Sequence, residues 1–536
     1  MKTATSILVL SALFFVSFAS SQSTKNQVQS SKALAYTNPI IDADYSDPDV
    51  IRVGDDFYLT ASSFNCIPGL PILHSRDLVN WKIIGHALQA QTPREVFARP
   101  QHGNGVWAPS IRFHNNQFFI FYGDPDFGIY MVKARHAAGP WSRPLLIRRA
   151  RGWIDPAPFW DDDGNAYLVH AWANSRSGIK SILTINRLSA DGTKLLDDGK
   201  MVFDGRVNHP TIEGPKLYKR NGYYYIFAPA GGVATGWQTV LRSKHIYGPY
   251  EDRIVMDRGR TEINGPHQGG WVELKSGESW FVHFQDRGAY GRVVHLQPLK
   301  WVDDWPLIGV DVDGDGKGEP VASYAKPNVG REYPAQAPQT SDEFSVSRIG
   351  LQWQWHANPV ANWMRLSGGR LRLHAVPQDS PNLWTAPNLL LQKFPARKFT
   401  VTTLVDGSHL REGQRSGLLI MGRDYSYIAI DGPRLVLMTS LDAAKGTPET
   451  ELGSVPLKTK SVFLRVSVNE GRCEFSYSTD GKTFAILGEP FTAKPGVWIG
   501  AKVGLFSIGA GQGYAGYDWF RFSPPEQSAQ TRAHVQ

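Results

Sequence analysis

Cysteine is scarce: Cys66 and Cys473 are the only two in 536 residues. A disulfide framework is thereby excluded, and so is a metal cluster built on thiolates. Long apolar runs are missing beyond the N-terminus, where no later segment has the ~20 residues a membrane-crossing helix needs. Lys and Arg never occur five in a row, so the net charge of +8 and pI near 9.2 describe a scattered, solvated surface and argue against a nucleic-acid partner. Also absent are a glycine-rich phosphate loop and a serine-centred nucleophile elbow. Amphipathic segments of helix length are few.

Aromatic residues are abundant instead: 17 Trp, 20 Tyr and 26 Phe make up 12% of the chain, beside 52 Gly and 35 Pro. Short aromatic and β-branched strands punctuated by Gly and Pro predict an all-β protein. Sheet interfaces are expected to consume most of these rings, and the remainder suit stacking on sugar faces. Lys2, an apolar run from Ile7 through Phe18 and the small residues Ala19-Ser20-Ser21 match a secretory signal peptide that is too short to span a membrane. No cysteine lies near its exit, so the expected product is exported without a lipid anchor, to the periplasm or the extracellular medium.

One plan recurs five times. Thr211-Ile212-Glu213-Gly214-Pro215 precedes the turn Asn221-Gly222 and the aromatic strand Tyr223-Tyr224-Tyr225, which reads as a hairpin with an acid on its leading strand. Ser46-Asp47-Pro48, Trp107-Ala108-Pro109, Ile154-Asp155-Pro156 and Gly265-Pro266-His267 each stand ahead of an aromatic strand in the same way. The repeat length of roughly 50 to 60 residues is close to that of propeller blades. A five-bladed β-propeller places the first strand of each blade innermost, so Asp47, Trp107, Asp155, Glu213 and His267 are expected to converge. A purely structural repeat would reuse one residue type at that position. Here the flanks stay alike while the inner residue changes.

Past Trp301 the pattern shifts. Asp311-Val312-Asp313-Gly314-Asp315-Gly316 imitates the start of a calcium loop, but Ala322 stands where the bidentate Glu belongs, so it reads as an acidic turn. Lys326 to Gln339, with Pro327, Pro334 and Pro338, reads as a semi-rigid linker. Beyond it, alternating segments such as Leu371-Arg372-Leu373 and Phe463-Leu464-Arg465-Val466 predict a β-sandwich. The expected division is a signal peptide at 1–21, a polar tether at 22–36, the propeller at 37–325, the linker at 326–340, the sandwich at 341–526 and a polar tail at 527–536. Glu343 and Asp518, near the two ends of the sandwich, are candidate ligands of a structural calcium ion.

Three carboxylates meeting in one pocket suit glycoside hydrolysis, in which one acid stays protonated to donate to the leaving oxygen and another is ionised. A third raises the pKa of the donor. The residues also resemble glycoside hydrolase family 43: Asn38-Pro39-Ile40-Ile41 leading to Tyr45-Ser46-Asp47-Pro48-Asp49-Val50, then Ser62-Ser63-Phe64, His74-Ser75-Arg76-Asp77-Leu78-Val79-Asn80-Trp81, Val106-Trp107-Ala108-Pro109, Ile212-Glu213-Gly214-Pro215 and Gly291-Arg292-Val293-Val294-His295. The resemblance runs from about Asn38 to the C-terminus, because one branch of that family carries a C-terminal, concanavalin A-like sandwich.

That resemblance implies an inverting enzyme with Asp47 as general base, Glu213 as general acid and Asp155 as the residue that orients the acid and raises its pKa. It further implies that Phe64, Trp107 and Arg292 line the first sugar subsite, and that His267 stands beside a water-shelled calcium ion in the channel, with no organic cofactor. A loop of the sandwich is expected to close the pocket and make the enzyme exo-acting, though the resemblance does not place its residue. The chain departs from many relatives at Cys66-Ile67, where an aromatic pair precedes Pro68-Gly69 at the expected pocket rim. The segments around His267 and Arg292 look like a subgroup rich in α-L-arabinofuranosidases acting on plant polysaccharides or oligosaccharides. A β-D-xylosidase, or an enzyme of dual specificity, is the alternative, and a non-catalytic sugar-binding protein is the rival from another class.

Overall fold

The computed structural model describes Met1 and residues 34–523. Residues 2–33, which include most of the expected signal peptide and tether, and 524–536, which include the polar tail, lie outside the described residues. The remainder is almost entirely β-structure.

Five four-stranded antiparallel sheets follow one another, each a simple meander. Their first strands are Asp49–Val53, Trp107–His114, Trp153–Trp160, Lys216–Arg220 and His267–Glu273. These strands touch one another around the axis and make the inner wall of a five-bladed propeller. The tight hairpins come from local chemistry. Asn221 and Gly222 both hold positive φ, 49° and 75°, as the two-residue turn before Tyr223–Ala230 requires. Between blades the core is continuous: Val50, Phe57 and Leu59 of the first blade pack with Val272, Val282 and Val294 of the fifth.

The last two residues of the expected tether belong to the fold. Ala35–Thr37 pairs with Ser323–Ala325, and the Tyr36 hydroxyl donates to the Leu296 carbonyl at 2.7 Å. Ile41 bridges Val294 in both directions. The chain ahead of the first blade is therefore laced onto the fifth, which closes the ring.

The C-terminal region is a sandwich. One sheet runs in the order Gln354–Trp355, Leu390–Lys393, Lys502–Ile508, Arg415–Met421, Tyr425–Asp431, Arg434–Ser440, Thr450–Pro456. It faces a second sheet centred on Tyr514–Ser523, Lys398–Asp406 and Ser461–Asn469. Strict alternation in Ser461–Asn469 buries Val462, Leu464, Val466 and Val468 in the core between the sheets. Propeller and sandwich are joined by specific bonds. Ile67 and Trp355 pair through their backbones, Asn358 binds both Phe97 and Gln91, and the Asn65 side chain donates to the His356 carbonyl.

Candidate active site

The five tags do converge, but not as parts of regular strands. Glu213 and Asp47 precede their strands, which begin at Lys216 and Asp49. Pro215 and Pro48 have no N–H to give a ladder, so pairing starts after them. In the other three blades the tag lies at a break in register, between Trp107 and Ser110, Ile154 and Ala157, and His267 and Gly269. Such bulges re-aim side chains. Left-handed backbone marks the same places, with φ of 54° at Asp47, 57° at Asp155, 61° at Thr211 and 31° at Gln268, and also marks Phe64, at 50°. Non-glycine residues adopt this region at a cost that functional sites carry.

The result is a pocket of about 460 Å³ at one mouth of the channel, lined by Asp47, Phe64, Trp107, Asp155, Glu213 and Arg292 among others. That volume lies within the roughly 300–1,000 Å³ of small-ligand sites. Asp47 is ringed by donors: the Ser46 and Ser62 hydroxyls at 2.8 and 2.6 Å on Oδ2, and the Arg292 guanidinium at 3.1 Å on Oδ1. Ser62 Oγ in turn accepts from the Ala108 N–H at 2.7 Å, which ties the first blade's acid to the second blade's tag. Ser46 and Ser62 stood inside recognised motifs, yet nothing in their spacing revealed this role.

Asp155 is buried, and its Oδ2 accepts the N–H of Gly214, next to Glu213, at 2.7 Å. Burial first, and the nearby Glu213 carboxylate second, push the Asp155 carboxyl well above the usual carboxylate range. Glu213 is the more accessible acid, with 24% of its side chain exposed, and its Oε1 shares a 3.0 Å hydrogen bond with His267 Nε2. Below the acids lies Lys216, a fully buried lysine whose pKa is lowered by burial against the opposing pull of Asp49, Asp155 and Asp47. Its burial was not legible, because a lysine after a proline is ordinarily a surface residue.

The wall contributed by the sandwich is Trp498. This half-exposed indole has a φ of 64°, lines the pocket, and stands 6.4 Å from the Trp107 ring at a steep angle. The Arg292 guanidinium lies 5.8 Å from its ring centre. Cys66 and Ile67 are elsewhere: both are buried, Ile67 pairs with Trp355, and Cys66 Sγ accepts from Lys502 Nζ at 2.9 Å. The departure expected to alter the pocket rim therefore alters the joint between domains instead.

The expected sandwich calcium ligands are not brought together. Glu343 is held by Arg521 through two bonds of 2.8 and 2.7 Å, and Asp518 by Arg370 at 2.5 Å, so an arginine neutralises each. Among the described residues, only Asp311, Asp313 and Asp315 gather three ligand atoms of the kind that holds a metal, and Lys317 already pairs with Asp315. His267 belongs to no such group; its Nδ1 is buried without a protein partner. One free imidazole nitrogen fits a water-shelled ion at most, since calcium is held by several oxygens.

Three carboxylates in one pocket, one held by an arginine and all faced by an indole wall, suit acid and base work on a glycosidic bond. Residues 36–306 match the model of glycosyl hydrolases family 43, and residues 341–523 match the beta xylosidase C-terminal concanavalin A-like domain. The chain belongs to that family. It is 40% identical over 487 residues to a putative beta-xylosidase of Xylanibacter ruminicola, covering 88% of this chain and 86% of that protein. It is 29% identical to a non-reducing end alpha-L-arabinofuranosidase of Bacteroides ovatus, over 91% of this chain and 94% of the other. The crystal structure of a xylan beta-1,4-xylosidase from Bacillus halodurans superposes with a TM-score of 0.81 at 26% identity, covering 91% and 99% of the two chains.

Proposed function

We propose that this protein is an exo-acting, inverting β-D-xylosidase that removes terminal xylosyl units from plant hemicellulose chains or their fragments. The observation that carries the reading is the convergence of Asp47, Asp155 and Glu213 on one pocket that Trp498 walls off on the sandwich side. Arabinofuranosidase was the expectation from the segments around His267 and Arg292. What favours the xyloside is the 40% identical relative, named a putative beta-xylosidase, and the likeness to a solved xylan beta-1,4-xylosidase. α-L-Arabinofuranosidase activity stays as a second reading, supported by the Bacteroides ovatus relative. Export follows from the N-terminal pattern and is part of the proposal.

In this scheme Asp47 takes a proton from a water whose oxygen bonds to the anomeric carbon as the glycosidic bond breaks, and the Ser46, Ser62 and Arg292 donors hold its carboxylate in place for that task. Glu213 protonates the departing oxygen. Asp155, clamped to the Gly214 N–H, fixes the segment that carries Glu213. Phe64, Trp107 and Trp498 supply apolar faces for the sugar, and Arg292 supplies donors.

The test is turnover of p-nitrophenyl β-D-xyloside against the α-L-arabinofuranoside with one preparation. The xyloside is expected to lead by at least about tenfold in kcat/KM, worth ~1.4 kcal/mol; a lead for the arabinofuranoside would overturn the assignment in favour of the second reading. Hydrolysis followed by NMR should show the α-anomer of xylose first, because inverting enzymes place a water under the ring. β-Xylose as the first product would refute inversion.

A stability experiment probes Asp155. Its raised pKa means that the folded state holds the proton more tightly than the unfolded chain. The contribution to stability is present below the ordinary carboxylate pKa and is lost as pH rises through the folded value. Asp155→Asn keeps an acceptor for Gly214 and takes the ionisable group away. It is expected to raise Tm at pH 7 by roughly 1–3 °C, with no gain near pH 4, while turnover falls. Thermal melts at the two pH values decide it, and an equal gain at both would contradict the assignment.

A further inference from the structure

Asp44 takes part in no recognised motif and lines no part of the pocket, yet it joins three of the segments that line it, those bearing Asp47, Arg292 and Trp498. It is 3% exposed. Its Oδ1 accepts the backbone N–H of Arg292 at 2.9 Å, and its Oδ2 accepts the backbone N–H of Gly500 at 3.0 Å. Arg292 is the residue whose guanidinium holds Asp47, and Gly500 lies two residues beyond Trp498 on the loop of the sandwich. Asp44 itself is three residues before Asp47. The surroundings are built for close approach. A Cβ on Gly291 would fall 2.4 Å from the Asp44 carboxyl carbon, and one on Gly500 would fall 2.7 Å from the Gly291 nitrogen. The Ala501 N–H donates to the Ala289 carbonyl at 2.7 Å, and Tyr45 N–H to the Arg292 carbonyl at 2.9 Å.

We infer that Asp44 is a positioning residue: one carboxylate latches the Trp498 loop of the sandwich to the strand that bears Arg292, and thereby sets the shape of the sugar pocket. The chemistry suits the task. A carboxylate offers an acceptor on each oxygen, so it can serve two backbone donors from different domains at once. An asparagine cannot, because one of its two positions is an NH₂ that would face an N–H. The latch also explains why a loop with a half-exposed tryptophan stays over the pocket: its neighbour Gly500 is bonded to the propeller by a group that water scarcely reaches. As an account of substrate binding, this rests on the xylosidase reading above.

Asp44→Asn is the direct variant. With p-nitrophenyl β-D-xyloside, KM is expected to rise about tenfold, about 1.4 kcal/mol of lost wall contact, while kcat falls less than about threefold, because Asp47 keeps its Ser46 and Ser62 donors. The same change made in a Trp498→Ala background is expected to have little further effect, because the latch acts through that indole. Additive losses in the double variant, or an unchanged KM in the single one, would overturn the proposal. Hydrogen exchange read by mass spectrometry supplies a measure that needs no activity. Residues 495–501 should lose protection in Asp44→Asn while residues 502–508, in the sandwich core, keep theirs; unchanged protection of 495–501 would sink the latch. Should Asp44→Asn fail to fold, Gly500→Ala loosens the same seat from the other side and is expected to give the same KM rise and exchange pattern, with wild-type behaviour counting against the latch. A wild-type protein inert on both aryl pentosides would refute the functional reading, and the exchange result would still decide the latch.

Discussion

Asp47→Ala is expected to lower turnover on every substrate by at least about 10², the usual weight of general base catalysis. The groups bonded to Asp47 cannot take over, because they are hydroxyls and a guanidinium, none of which accepts a proton from water. Glu213→Ala should behave differently. Its loss falls on the leaving group, so xylobiose, whose departing alkoxide needs a proton, should suffer by about 10² or more while aryl xylosides with acidic phenols lose far less. Steady-state rates on the two substrate types separate the roles. Equal losses on both would remove Glu213 from the part of general acid.

Ending the chain at Lys326 should have an equally large effect. A detachable sugar-binding module raises local substrate concentration, so removing one weakens action on polymers and spares small glycosides. The joint seen here is of another kind. Removal of the sandwich uncovers Ile67 and Phe97, both about 1% exposed in the intact protein, and strips Trp498 from the pocket. The partly buried His102 ring loses the Trp384 indole on which it stacks at 3.6 Å. The shortened chain is expected to aggregate or, where soluble, to lose at least about 10² in turnover of the smallest aryl glycoside as water enters the site. A soluble, fully active propeller would restore the module interpretation.

The propeller was readable because each blade repeats one plan, and a repeat reports on itself: five tags at matching distances from five aromatic strands placed Asp47, Trp107, Asp155, Glu213 and His267 around one axis. Strand positions in the sandwich were readable for a related reason, since segments such as Ser461–Asn469 alternate with the pleat. What escaped depends on contacts between distant parts of the chain. Asp44 and Gly500 are 456 residues apart, and no local pattern links them. Glu343 and Asp518 looked like metal ligands because their arginines, Arg521 and Arg370, reach them only through the register of neighbouring strands. Cys66 was read as a rim residue by its place in a motif, but the loop that carries it turns toward Lys502 and the other domain. Residue type and spacing carry the repeat; they do not carry the partner.

The lacing of the N-terminal segment onto the last blade has a consequence for the order of events during synthesis. Ile41 finds its partner only when Val294 has been made, and Asp44 finds its second donor only with Gly500. A ribosome delivers the acid Asp47 early, but the ring that aims it cannot close until nearly three hundred residues have emerged, and the pocket wall waits for two hundred more. The nascent chain thus carries its acids through most of translation without a site in which to use them.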